Sequence, residues 1–151
     1  MFQLTDVLPS VARVSVLWAP HSFAFSGITV SGNRERYFQQ LYYSNVNLEQ
    51  ESPSSYARVI FRQNVFGWGR ATPGLTADAQ PITAEEEAAA LREYASYAAQ
   101  FNRERALRPQ LSFVITSVKL PADLSRLDLW YDRDQGEQVG DFILYRVRPK
   151  S

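Results

Sequence analysis

PITAEEEAAALREYASYAAQFNRERALR, residues 81–108, is the one long stretch with a helical period, and its reading decides the fold. Thr83 stands three residues before Glu86, the spacing of a capping box that satisfies two orphan backbone donors. Glu85, Glu86 and Glu87 fill the first turn, while Arg103, Arg105 and Arg108 fill the last, both complementing the helix macrodipole. Ala88, Leu91, Tyr94, Ala95, Ala98 and Phe101 recur at helical spacing and form one apolar stripe. Pro109 then blocks continuation. The pattern predicts a single rod over about 83–107, about 36 Å long at 1.5 Å per residue, able to cross a small sheet.

Outward from this rod, both flanks read as strand and turn. Residues 11–18 alternate, with Val14, Val16 and Trp18 on one face, and residues 23–30 make a second strand after Pro20. Residues 34–50 combine helical spacing at Tyr37, Phe38, Leu41 and Tyr42 with tyrosines that favour strand. An extended, exposed β arm is the preferred reading there. Residues 56–66 alternate Ala57, Val59 and Phe61 against Arg58, Ile60 and Arg62, again a strand. Gly67, Gly69, Pro73 and Gly74 open a loop that runs to Gln80.

Beyond the rod, residues 111–120 form a strand, with Phe113, Ile115, Val114 and Val118 suggesting burial on both faces. Residues 126–131 and 139–147 form two more, joined across 132–137 with Gly136 available for positive φ. With 151 residues, 45% of them hydrophobic, and no repeat or linker, the chain is expected to be one domain over 1–151. The fold class is α+β: a mainly antiparallel twisted sheet or sandwich with one long helix packed on it.

Composition excludes more than it assigns. There is no cysteine, hence no disulfide, thiolate nucleophile or cysteine metal site. His21 is the lone histidine, so a zinc site would need carboxylates alone and serine chemistry lacks an obvious base. Gly67 and Gly69 lack the third glycine and the following helix of a dinucleotide fingerprint. From Asp132, Gly136 is fifth and the twelfth residue is Ile143, which fails the calcium-loop pattern. Asp132, Asp134, Glu137 and Asp141 read as a solvated hairpin tip, and an enzyme using carboxylates alone is the least favoured class. No cofactor and no metal are expected. The opening residues lack a basic region and an apolar run, so no secretory signal and no membrane span are expected.

Interaction residues are plentiful by contrast. Arg34, Arg36, Arg58, Arg62 and Arg70 interleave with Tyr37, Tyr42, Tyr43, Tyr56, Phe61 and Trp68. Arginine and aromatics are enriched at interfaces, and stacking platforms beside cations also suit single-stranded nucleic acid. A net charge of +0 weakens the nucleic-acid reading, since most of that affinity comes from neutralising phosphates. The site candidates are Arg34, Arg36, Tyr37, Tyr42, Tyr43, Arg58, Arg62, Trp68 and Arg70. Used with the 34–50 arm and the sheet edges, they predict a non-enzymatic, self-associating subunit, with nucleic-acid binding as the alternative.

One family likeness supports the first reading. Lys119, Leu120 and Pro121, then Leu127, Asp128 and Leu129, the 132–137 turn, and Phe142, Leu144 and Tyr145 resemble the end of contractile-phage tail-tube proteins. The order of strand, helix, strand and terminal hairpin is similar too. Where that family usually has a Trp-bearing helix, this chain has Tyr94, Tyr97 and Phe101. The resemblance implies a ring-forming homo-oligomer in a virion or the cytoplasm, without catalysis, whose arm touches neighbouring subunits.

Overall fold

A computed structural model describes residues 17–18, 29–52, 54–72, 74–75 and 77–151. Most of each strand expected over 11–18 and 23–30 lies outside the described residues, as does His21. Contacts divide the chain into two compact units. One holds the described residues up to Phe38 and Asn47–Gln100; the other holds Gln39–Val46 and Phe101–Ser151.

Helix α1 (Val30–Tyr43) replaces the expected β arm. Thr29 opens it, its Oγ1 accepting from the Gly32 N–H at 3.1 Å. Asn45, at φ 49°, closes it in the left-handed region. The Asn45 N–H then reaches the Tyr42 carbonyl at 3.1 Å, and the Val46 N–H reaches Leu41 at 3.3 Å, the paired bonds of a Schellman motif. The tyrosines that suggested a strand are buried on this helix, where packing outweighs intrinsic β preference.

Helix α2 (Tyr56–Phe66) replaces the strand expected over 56–66. Ser55 caps it by accepting from the Arg58 N–H at 3.2 Å, and Gly67 at φ 85° ends it. Phe61, Asn64 and Val65 are its buried residues, at i, i+3 and i+4, so the period of two was accidental. A short helix α3 (Trp68–Ala71) follows.

Helix α4 (Ala84–Ala99) carries the capping box in full. Thr83 Oγ1 accepts from the Glu86 N–H at 3.1 Å, and Glu86 Oε2 accepts from the Thr83 N–H at 2.9 Å. Arg70, chiefly, and the Thr83 N–H hold the Glu86 carboxyl down to about 2 from its ordinary 4.5. That contribution is therefore present above about pH 4.5 and fades as pH falls through about 2. Thr83→Ala is expected to cost about 1 kcal/mol, read as a lower urea midpoint at neutral pH.

The single rod over 83–107 is not formed. α4 stops at 16 residues, and Asn102 adopts extended backbone and caps a separate helix α5 (Arg103–Ala106), accepting from the Arg105 N–H at 3.1 Å. Asn favours this N-cap role over a helix interior, because its side chain competes for backbone groups. Arg103, Arg105 and Arg108 therefore do not serve the C-terminus of α4, whose last turn has no basic residue. α4 belongs to the helical unit and packs among helices, with Tyr94 5.4 Å from Phe38 between ring centroids. The core of this unit is aromatic: Phe61 lies 6.3 Å from Tyr37 and 6.4 Å from Phe38, and Tyr37 is 4.8 Å from Trp18. Burial pushes the Tyr37 hydroxyl pKa up.

The second unit holds the sheet. Strands β1 (Phe113–Ser117), β2 (Tyr131–Arg133), β3 (Glu137–Val139) and β4 (Phe142–Pro149) are all antiparallel, with β4 pairing every other strand. The expected strand over 126–131 is instead a 3₁₀ turn, Leu127–Leu129, ahead of β2. The tight turn is at Gly140 and Asp141, between β3 and β4, and 132–137 is not a simple tip. Gly136 does take positive φ, 78°, and an added Cβ would fall 2.6 Å from Ile143 and Tyr145 atoms. The class is α+β, but five helices, rather than a dominant sheet, make up most of the described regular structure.

Candidate interaction surface

The nine residues singled out in the sequence separate into kinds. Tyr37, Tyr42 and Tyr43 are core residues, 1%, 6% and 5% exposed. Tyr42 stacks on Phe101 at 3.8 Å between centroids, and Tyr43 donates to the Ala106 carbonyl at 3.2 Å. Their faces are covered by protein, whereas a base needs an open ring.

Most of the arginines are engaged with carboxylates. Arg58 donates to Glu87 Oε1 at 2.7 Å and to the Leu48 carbonyl at 3.1 Å, and Arg62 reaches Glu87 Oε2 at 3.3 Å. Arg70 holds both oxygens of Glu86, at 2.9 and 3.0 Å, and also the carbonyls of Gln80 and Pro81. Arg34 bonds Glu93 at 3.0 Å and the Val65 carbonyl at 3.1 Å. Arg36 is exposed, and Trp68 is 39% exposed. Glu86 and Glu87, read as helix-start charges, and Glu93 thus clamp α4 to its neighbours in the helical unit. Phosphate would have to compete with these local bonds.

The acidic hairpin is structural as well. Asp134 Oδ1 accepts from the Gly136 and Arg146 N–H groups at 3.0 and 3.1 Å, and Asp141 pairs with Lys119 at 2.6 Å. No three His, Cys, Asp or Glu residues among the described ones gather as a metal site. An open groove of about 380 Å³ is lined by Pro121, Asp123, Asp128, Arg133, Ile143 and Tyr145. Its carboxylates have partners: Arg133 donates to Asp128 at 2.7 Å and lowers its pKa. The Asn45 amide, 2.6 Å from Asp123, chiefly holds that carboxyl down to about 2. No helix of the described residues is long and apolar enough to cross a membrane.

The feature that stands out was not singled out from sequence. Cα register pairs Phe113 with Arg146, Ile115 with Leu144, and Ser117 with Phe142, while β3 pairs Val139 with Phe142. Because side chains alternate, Phe113, Ile115, Leu144, Phe142 and Val139 share one face. Four of them are open to solvent: Phe113 52%, Ile115 36%, Val139 59% and Phe142 40%. The expected burial of β1 on both faces is thus corrected. The opposite face carries Val114, Ile143, Tyr145 and Val147, with Val147 buried and the Arg133 guanidinium over the Tyr145 ring at 4.9 Å. Alternation in β1 was visible, but apolar residues on both sides hid which face is covered.

No family model, curated protein or solved structure matches the chain.

Proposed function

We propose that this chain is a non-enzymatic assembly subunit that self-associates through its C-terminal unit. The observation that carries the reading is the open apolar face of Phe113, Ile115, Val139 and Phe142. Contiguous exposed apolar residues on a sheet mark interaction sites, and covering them gains about 25 cal/mol per Å² removed from water. The contractile tail-tube likeness supports the same class, a homo-oligomeric component of a virion or a cytoplasmic assembly, and its residues Phe142, Leu144 and Tyr145 belong to β4. The absence of catalysis is part of the proposal, supported by carboxylates that are already bonded to structural partners. Single-stranded nucleic-acid binding is the weaker reading, since Tyr37, Tyr42 and Tyr43 are buried.

Light scattering across a concentration series tests this directly. The wild-type chain is expected to exceed its 17.2 kDa monomer mass as concentration rises. Phe142→Asp, with its circular dichroism unchanged, is expected to weaken association at least about tenfold, since about 1.4 kcal/mol is a factor of ten. A wild-type chain that stays monomeric throughout would remove the proposal.

A further inference from the structure

Strand β1 is an unusual edge. It reads Phe-Val-Ile-Thr-Ser, with no charge, no proline and no bulge, and is five residues long. The strands on the other side of β4 are short and charged: Tyr-Asp-Arg in β2 and Glu-Gln-Val in β3, three residues each. Sheet proteins ordinarily blunt an edge with such charges and short lengths, because an open ladder recruits another strand. β2 and β3 carry these devices and β1 does not.

The direction of the backbone groups can be read from its ends. The Ser112 carbonyl accepts from the Val147 N–H, and the Val118 N–H donates to the Asp141 carbonyl, both at 2.9 Å. Alternation then turns the groups of Val114 and Thr116 toward β4 and those of Phe113, Ile115 and Ser117 away from it. Among the described residues β1 pairs with β4 alone.

We infer that β1 pairs with β1 of a second copy, antiparallel and centred on Ile115, so that two sheets join into one. This rests on the self-association proposed above and adds an edge contact to it, since edge pairing joins the apolar faces of the two copies without covering Val139 and Phe142. The twofold register is self-complementary: Ile115 faces itself, Phe113 faces Ser117 and Val114 faces Thr116. No like charges oppose each other. Each pair formed by the outward residues exchanges two N–H···O bonds, which satisfies the open edge. Phe113 and Ile115 of both copies come to the same face, so the apolar stripes meet at the seam.

The chain contains no cysteine, so single-cysteine variants report the contact without background. Facing Cα atoms in a bonded antiparallel pair lie about 5.5 Å apart, within the roughly 4.4–6.8 Å that a disulfide spans. Oxidised Ile115→Cys is expected to give a covalent dimer. Val139→Cys, on the same face but away from the seam, is expected to give none. Ile115→Pro removes only an outward N–H, which an edge strand tolerates, and should raise the dissociation constant at least tenfold with the circular dichroism unchanged. Association that persists in Ile115→Pro, with no Ile115→Cys cross-link, would overturn the edge pairing while leaving self-association standing. A head-to-tail ring through another surface would give that result. A wild-type chain that never associates overturns both.

Discussion

Phe61→Ala is expected to lower stability by about 3–5 kcal/mol, the range for deleting a fully buried aromatic ring. Phe61 is 0% exposed and sits on α2 between Tyr37 and Phe38, with the Phe38 ring stacked at 7°. Those two neighbours are themselves 1% and 3% exposed, and Phe38 also touches Tyr94 and Tyr97. A ring held from several sides by other rings leaves a cavity that cannot collapse without moving them. That places the substitution well above a typical single change of about 1 kcal/mol. Urea unfolding followed by circular dichroism measures it. A midpoint shift equivalent to less than about 1 kcal/mol would mean that α2 does not hold Phe61 in this core.

That outcome also bears on why the sequence of the helical unit resembles strand. Residues 56–66 carry two periods at once: alternation through Ala57, Val59 and Phe61, and helical spacing at Phe61 and Val65. The local signals that separate them were present, Ser55 as an N-cap and Gly67 as a stop, but they weigh little beside a run of β-branched and aromatic residues. α1 was obscured in the same way, and its closing signal was a single Asn45 in the left-handed region. The capping box of α4 was legible because both partners lie within one turn. Its early end was not, since Asn102 stops the helix by capping the next one.

Charge pairing was illegible for a different reason. Arg58 and Arg62 meet Glu87, and Arg70 meets Glu86, across 16 to 29 positions of sequence. No local pattern links them, so the arginines looked available. In the C-terminal unit, β1 and β4 were recovered with their approximate bounds, because each is a sustained apolar run. β2 was displaced, because Leu127, Asp128 and Leu129 alternate and yet form a 3₁₀ turn. The open sheet face stayed hidden because only register tells which side of β1 joins Leu144 and Phe142.

Tyr131 offers the second large effect, and it resolves into ring and hydroxyl. The side chain is 0% exposed and meets Tyr43 edge to face at 6.3 Å. Its hydroxyl donates to the Ala106 carbonyl at 2.6 Å and accepts from the Leu111 N–H at 3.1 Å. It therefore ties the end of α5 to the chain entering β1. Tyr131→Phe keeps the ring but strands the Leu111 N–H, while the Ala106 carbonyl retains the Tyr43 hydroxyl at 3.2 Å. The expected cost is about 1 kcal/mol, the low end for leaving a polar group unpaired, because Leu111 is only half-buried. Tyr131→Ala adds the cavity and should reach about 3–5 kcal/mol. Thermal melts of the two variants beside wild type give the split. Equal losses would show that the ring contributes nothing beyond its hydroxyl, contrary to its complete burial. A Phe variant as stable as wild type would show that the bond to Leu111 is not needed, and that packing alone orders the segment leading into the proposed edge.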